Sequence, residues 1–537
     1  MNLRERNIEK LKNEAFDVLI LGGGINGAVS AAVLSARGLK VALIDKRDFA
    51  GFTSQQSSNL AWGGIKYMET MEFPLVRKLC KSRNLLMESY PSTVQEIRFF
   101  ATIKKGFRFH PLFLYMGTLL YWLMGNGFTR LPKLFSPSNI AQQEPIINTE
   151  NSNGGFEYSD AYLHDNDARF VFNFIRSAMD SDCAAANYVE SRGAEFKEGL
   201  WHTQAFDSVN QETFTLTSKV LINACGPFTD EHNQHTHQQT QHHHVFSKGI
   251  HLIVDRLTPS QRVLTFFADD GRLFFVIPMG PKTCIGTTDT RTDSPYTEVT
   301  PEDRQFVLKN INARLKLAKP LTEADIISER CGVRPLVIES KKEATKDWVQ
   351  LSRKHALDTN LKQRHISIYG GKLTDCLNVG EEVCDLVKSM GLKIPKPDTL
   401  WYGEPDKEIR DRFFNAAKAM NLDGYTHASS SEPLSVRFWR RYGAQAFRLL
   451  EAIRKDPQEA KLVIENAEYT RCELELAAER EMITKLDDFL RRRSKISLVV
   501  RKTDIRSAQG LHEACRILFG EDGEKRYAEY FAGYAAS

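Results

Sequence analysis

Apolar residues in this chain first occur as short runs broken by glycines. Past about residue 396 they recur instead at the three-to-four spacing of amphipathic helices. The run Val18 to Leu21 is followed by Gly22, Gly23, Gly24 and Gly27, an alanine-rich helical stretch, and a second run ending at Asp45. That order predicts a βαβ unit. Ala50 to Glu69 is rich in Ser, Thr, Gly and Gln and reads as a loop leading into a helix start. Phe73 to Phe100 has helical spacing with interleaved Arg and Lys, and Pro111 to Met124 is densely apolar and aromatic. Gly155 to Asp180 reads as an extended turn entering a helix, with Asp165 or Asp167 as N-cap. A strand at Lys219 to Asn223 ends in Ala224, Cys225, Gly226 and Pro227, a second small-residue turn. From Phe246 onward, GIHLIVDR, RLFFVIPMG and KTCIGTTDT predict antiparallel strands, and Pro301 to Leu317 predicts a helix. His365 to Val387 again reads as strand, glycine turn and helix, and Lys461 to Phe489 is the clearest long helical pattern.

These elements define an α/β chain. A Rossmann-like dinucleotide-binding domain is interleaved with a mixed or antiparallel-sheet substrate domain, and an α-helical C-terminal domain follows. The dinucleotide-binding segments are expected at about 16–75, 155–230 and 360–395, the substrate segments at about 76–154 and 231–359, and the helical domain at about 400–537.

With 537 residues, 42% hydrophobic and 26% charged, the chain has the composition of a soluble protein of several domains. A net charge of +4 does not call for nucleic acid, and no nucleic-acid-binding motif occurs. Nine cysteines without a C-x-x-C pair fit reduced thiols, and MNLRERNIEKLKNE lacks a secretory signal, so a cytoplasmic location is expected. Pro111 to Met124 is too short to cross a bilayer; it is either a buried helix or an interfacial segment flanked by Arg108, Arg130 and Lys133. Arg491, Arg492 and Arg493 are expected to solvate a helix end, with attraction to anionic lipid as the alternative. The histidine-rich tract Glu231 to His244 is expected to be a polar loop without metal.

The candidate chemistry gathers at glycine turns. Gly22, Gly24 and Gly27 give the G-x-G-x-x-G spacing that lets a pyrophosphate approach a helix N-terminus, and Asp45 is placed to accept hydrogen bonds from a ribose. His251 in an apolar strand is a candidate general base, with a satisfied core histidine as the alternative. Arg334 before Pro335 needs an anion, either a structural carboxylate or a substrate. Lys372 follows Gly370 and Gly371, and Lys66 follows Gly63 and Gly64. The absence of a G-x-S-x-G elbow, an H-E-x-x-H helix and a P-loop disfavours hydrolases and phosphotransferases.

Taken together, GGGINGA from Gly22, TSQQSS from Thr53, WGGIKYME from Trp62, GFEYSD from Gly155, NACGPF from Asn223, SKGIHLIV from Ser247, IGTTDT from Ile285, GVRPL from Gly332 and GGKLT from Gly370 resemble a known family. It is the bacterial FAD-dependent glycerol-3-phosphate dehydrogenases of the D-amino-acid-oxidase-like flavoprotein superfamily. The resemblance implies FAD, oxidation of sn-glycerol 3-phosphate to dihydroxyacetone phosphate, electron transfer to membrane quinone, and a peripheral position on an anionic phospholipid surface at the inner face of the plasma membrane. A homodimer is left open. By the same match Asp45 is the adenosine-ribose acid, while Thr53, Ser57, Ser58, Gly226, Gly370, Gly371, Leu373 and Thr374 are further flavin contacts. His251, Arg334 and Lys372 line the substrate side, with Lys66 and Tyr67 as further substrate contacts. The family pattern H-G-G-x-R-Y is replaced by Trp62, Gly63, Gly64, Ile65, Lys66 and Tyr67, which keeps the charge and loses the arginine fork. The rival readings are a related FAD enzyme acting on an amino acid or 2-hydroxy acid, and a flavin-binding interaction module without turnover.

Overall fold

A computed structural model describes residues 2–268, 271–339, 354–428, 430–464 and 467–532. The expected substrate span through 359 and helical span to 537 therefore lie partly outside the described residues, at 340–353 and 533–537. Five strands run parallel in the order Ala184–Asn187, Val41–Asp45, Ala15–Leu21, Glu212–Asn223 and His365–Tyr369, with Ala356–Asn360 antiparallel at the edge. Side chains alternate between faces along each strand. Val18, Ile20, Val41 and Leu43 pack under the helices Ile25–Ala36, Asp167–Asp180 and Cys376–Ser389. Leu19, Leu21, Ala42 and Ile44 pack with Ile8 and Leu11 of the helix Leu3–Asn13.

The second sheet has ten strands among the described residues and is mixed. His243–Asp255 pairs antiparallel with Ser328–Ile338 over eleven residue pairs, while Val263–Phe267 runs parallel to Val94–Lys104. The expected antiparallel strands are thus present, and the strand holding His251 begins upstream of Phe246. The helix Pro301–Arg314 packs Val307 and Ile311 against this sheet and ends three residues short of Leu317.

Several expectations are corrected. The helix Phe73–Ser89 does not reach Phe100, because the chain turns at Tyr90 and Pro91 into the strand Val94–Lys104. Gly155 to Asp180 opens as the strand Ser152–Leu163, and the helix that follows is capped by Asn166, whose Oδ1 accepts from the Ala168 N–H at 3.3 Å. Asp165 lies 3.1 Å from Arg440, and Asp167, the first residue inside the helix, accepts from Ser57 and from the Ala168 N–H. The stretch Ala50 to Glu69 contains two 3₁₀ turns, Thr53–Gln55 and Ile65–Met68, around the short strand Leu60–Ala61. Lys461 to Phe489 is not one helix; a Thr470 and Glu473 capping box starts a helix at Arg471 that ends at Arg480, behind the hairpin strands Leu462–Ile464 and Tyr469–Thr470.

The reading of Pro111 to Met124 as a buried helix is overturned. The helix forms over those residues, but it buries only Pro111, Thr118 and Tyr121. Leu112, Phe113, Met116, Leu120 and Leu123 are exposed, as are Phe128, Leu131 and Leu134 just beyond. Among the described residues no helix is long and apolar enough to cross a membrane.

Arg491, Arg492 and Arg493 are buried and do not solvate a helix end. Asp48, which follows the second strand of the βαβ unit, draws them in. Its Oδ2 accepts from Arg492 Nε at 2.6 Å and from Arg493 Nη1 at 2.8 Å, and its Oδ1 accepts from Arg493 Nη2 at 2.9 Å. Burial raises the Asp48 pKa, but Arg493 and Arg492 outweigh it and hold the carboxyl below its usual range. Removing one partner of such a buried pair costs about 3–5 kcal/mol. Asp48→Asn is therefore expected to lower the urea midpoint markedly; an unchanged midpoint would show that the C-terminal helices are held by other contacts.

Candidate active site

Gly22 has φ +98°, and a Cβ there would lie 2.5 Å from the Ala224 carbonyl oxygen. At Gly27 a Cβ would fall 1.8 Å from the Gly22 carbonyl oxygen, so the helix Ile25–Ala36 can meet the strand only through glycine. Gly24 stands at the N-cap without a capping side chain. Ser54 Oγ takes up the Ile25 N–H, and the remaining open amides of this first turn suit an anion. Asp45 closes the turn: its Oδ2 accepts from the Gly23 N–H at 2.6 Å and its Oδ1 from the Arg47 N–H at 2.8 Å. Burial raises its pKa to about 6 against those amide bonds. A carboxylate has about four acceptor positions, so capacity remains for ribose hydroxyls. Beside it lies a cleft of about 100 Å³ lined by Gly22, Asp45, Val189, Cys225, Phe228 and His235.

Two further glycine turns leave the same sheet. Gly226 (φ +58°) follows the strand Glu212–Asn223, and Gly370 (φ +59°) and Gly371 (φ +101°) follow His365–Tyr369. With Gly22 they stand at the carboxyl ends of three adjacent parallel strands, the edge where such sheets bind ligands. Asn26 Nδ2 donates to the Gly370 carbonyl at 2.9 Å and ties the first turn to the last. His244 Nε2 accepts from the Gly370 N–H at 3.0 Å, and burial lowers its pKa to about 4, so it is neutral. The histidine tract is thus ordered in part and frames the site, contrary to its reading as a polar loop. Among the described residues no cluster could hold a metal ion.

The loop from Thr53 to Ser58 bridges the two sheets, and most of its hydroxyls are engaged within the protein. Thr53 Oγ1 donates to the Val333 carbonyl at 2.8 Å, Ser54 Oγ accepts from the Ile25 N–H at 3.0 Å, and Ser57 Oγ donates to Asp167 Oδ2 at 2.8 Å. The loop therefore offers backbone and steric contact more than free hydroxyls. Ser58 and Leu373 are half-buried on this loop and the last turn, and Thr374 Oγ1 donates to the Trp62 carbonyl at 3.2 Å.

One face of the pair His243–Asp255 and Ser328–Ile338 forms a cationic wall. Cross-strand partners His251 and Arg330, Gly249 and Gly332, and Ser247 and Arg334 alternate along it. A Cβ at Gly332 would lie 2.6 Å from Gln56 Cβ, which puts this face against the Thr53 to Ser58 loop. A Cβ at Gly249 would strike the Arg334 guanidinium at 2.3 Å. Arg334 is held by Thr287 Oγ1 at 3.2 Å and Asp289 Oδ1 at 3.4 Å, so the structural carboxylate is present. His251 is buried, and its Nδ1 has no hydrogen-bond partner among the described residues. Burial first, then Arg330 and Arg334, lower its pKa to about 3. Lys372 Nζ sits 4.1 Å over the Tyr67 ring, and Lys66 precedes Tyr67 on the 3₁₀ turn opened by Gly64. Arg330, Asn26 and His244 were missed by sequence reasoning. Only Arg330 carried a signal, as a charge alternating with Gly332 and Arg334 in a strand.

A Rossmann-type sheet with three glycine turns at one edge, an acid at the end of the second strand and a cationic wall defines a dinucleotide-dependent oxidoreductase. The comparisons with known proteins narrow it. Residues 17–346 match the family described as FAD dependent oxidoreductase, and residues 413–525 match the C-terminal domain of alpha-glycerophosphate oxidase. The chain belongs to the FAD dependent oxidoreductase family, and its cofactor is FAD. It is 29% identical to an aerobic glycerol-3-phosphate dehydrogenase of Staphylococcus aureus over 91% of this chain and 88% of that one. It shares its fold with the glycerol-3-phosphate dehydrogenase from Bacillus halodurans complexed with FAD (TM-score 0.75, 23% identity, 99% and 97% of the two chains). A further fold relative is the L-alpha-glycerophosphate oxidase of Mycoplasma pneumoniae (TM-score 0.56, 18% identity, 73% and 99%).

Ribose hydroxyls favour the ionised form of Asp45, so FAD binding should release a proton and weaken as pH falls through about 6. Losing a charged hydrogen bond costs about 1.5–3 kcal/mol, so Asp45→Asn is expected to bind FAD roughly 10- to 100-fold more weakly. Flavin titrations of the apoprotein between pH 8 and 5 check both; an affinity indifferent to pH and to the substitution would remove Asp45 from the site.

Proposed function

We propose that this protein oxidises sn-glycerol 3-phosphate to dihydroxyacetone phosphate and passes the electrons to a membrane quinone. The observation that carries the reading is the wall on which a buried, uncharged His251 faces Arg330 across the strands with Arg334 further along the same face, and with Lys372 and Lys66 beside Tyr67. The relatives' names support the same substrate.

FAD, when bound, accepts the hydride equivalent that leaves C2 of the substrate. The Gly22 to Gly27 turn and Asp45 would hold its pyrophosphate and ribose, and the turns at Gly226 and Gly370 its remaining length. The hydroxyl proton must leave as the hydride does. His251 is neutral over the working pH range and accepts that proton at a ring nitrogen. Its low pKa makes the resulting imidazolium costly, and the phosphate dianion held by Arg334, Lys372 and Lys66 offsets that cost. Arg334 supplies a planar fork already oriented by Thr287 and Asp289, and Lys372 a point charge steadied by Tyr67.

The domain division follows the same logic. Segments of about 16–75, 155–230 and 360–395 are assigned to FAD, about 76–154 and 231–359 to substrate, and about 400–537 to a helical domain. The exposed face of Pro111–Met124, with Arg108, Arg130 and Lys133 around it, supports peripheral attachment to an anionic phospholipid surface on the cytoplasmic side. Such attachment would bring the protein to the bilayer that holds the quinone.

A substrate panel tests the reading: with a soluble quinone as acceptor, kcat/KM is expected to be highest for glycerol 3-phosphate, and greater turnover of an amino acid or 2-hydroxy acid would replace it. His251→Asn is expected to lower kcat by about 10²- to 10⁴-fold while the flavin stays bound, with unchanged kcat refuting its role as base. Phe113→Glu with Leu123→Glu is expected to abolish co-sedimentation with anionic liposomes without changing turnover of a soluble acceptor; undiminished co-sedimentation would place the membrane contact elsewhere.

A further inference from the structure

Arg330 and Arg491 carry more positive charge into the interior than the surrounding acids balance. Arg330 is 1% exposed. Its Nη1 donates to the Ser57 carbonyl and to Asn59 Oδ1 at 3.0 Å, while its Nε and Nη2 have no hydrogen-bond partner among the described residues. Arg491, 8% exposed, arrives from the C-terminal region. Its Nη2 donates to the Gln55 carbonyl and reaches Gln56 Oε1 at 3.4 Å, and its Nη1 is likewise unpaired among the described residues. Asp167 lies 3.9 Å from Arg330 and already accepts from Ser57 and Ala168. The nearby acids Asp48, Asp487 and Asp488 bond Arg492 and Arg493. Two guanidiniums thus face one committed carboxylate. Burial and then repulsion from Arg330 lower the Arg491 pKa to about 9. A buried excess charge is costly unless an anion meets it.

Both arginines grip the backbone of the loop between Gln55 and Ser57, and Arg330 shares the face that carries His251 and Arg334. We infer that Arg330, reinforced by Arg491, is a fixed positive charge that stabilises the flavin when it holds an added electron pair, raising its reduction potential and its affinity for sulfite. Reduced flavin is an anion at neutral pH, and sulfite addition likewise leaves negative charge on the ring, so a nearby cation favours both. The inference rests on the FAD assignment and not on the identity of the substrate, so it can fail while the substrate reading stands.

The test uses the FAD-loaded full chain and reads flavin absorbance. Arg330→Met is expected to weaken sulfite binding by about tenfold or more and to lower the reduction potential, with Arg330→Lys retaining most of both. Arg491→Met is expected to shift both in the same direction by less. Should Arg330→Met not retain flavin, Arg491→Met and Arg330→Lys carry the comparison. If sulfite affinity and potential stay at the parent values in the variants that hold flavin, the inference is overturned. A raised KM for glycerol 3-phosphate then assigns the charge to the substrate phosphate, and an unchanged KM leaves the arginines a structural role.

Discussion

The approach of the helix Ile25–Ala36 to the strand before it, so close that a Cβ at Gly27 would lie 1.8 Å from the Gly22 carbonyl, is the constraint from which the rest follows. It aims the open amides of the first helical turn at the carboxyl edge of the sheet. It also leaves Gly22 against Ala224, so the turn after Glu212–Asn223 lies beside the first one. Asn26 then reaches Gly370, and His244 takes up the Gly370 N–H. Three turns far apart in sequence are brought side by side at one edge of the sheet, an arrangement that suits an extended dinucleotide better than a compact ligand.

Charge is the second determinant. Asp48 pulls Arg492 and Arg493 under the βαβ unit and brings Arg491 to the Thr53 to Ser58 loop, so the C-terminal helices are tied into the cofactor region. On the strand pair His243–Asp255 and Ser328–Ile338, His251 shares a face with Arg330 and Arg334 and is kept neutral by burial and by their charge. A buried neutral imidazole among cations cannot easily hold a proton until an anion arrives. Under the proposed function, binding of the substrate phosphate would be coupled to proton transfer, which suits an alcohol oxidation that must not proceed without its proper substrate.

The glycine turns were legible in the sequence because backbone approach leaves glycine as the only residue that fits, and the strand and helix of the first unit follow from simple periodicity. His251, Arg334 and Lys372 were legible as polar residues in apolar or glycine-turn settings. What sequence reasoning missed depended on partners distant in the chain. The Arg491 to Arg493 run reads as solvated until Asp48, more than four hundred residues away, is seen to pair with Arg492 and Arg493. Phe73 to Phe100 keeps an apolar pattern through the break at Tyr90 and Pro91, so helix and strand merge in a periodicity reading. Whether the apolar face of Pro111–Met124 would be covered by protein was undetermined locally, and the structure leaves it exposed.

The proposed function turns on one step, loss of a hydride from C2 of glycerol 3-phosphate to the bound flavin, for which the cationic wall would hold the substrate and His251 would take the hydroxyl proton. Anaerobic mixing of the yellow protein with this compound, in protiated form and with deuterium at C2, measures that step directly. Loss of flavin absorbance is expected, slower with deuterium. A flavin that stays oxidised with glycerol 3-phosphate, or that bleaches equally fast with both forms, would contradict it.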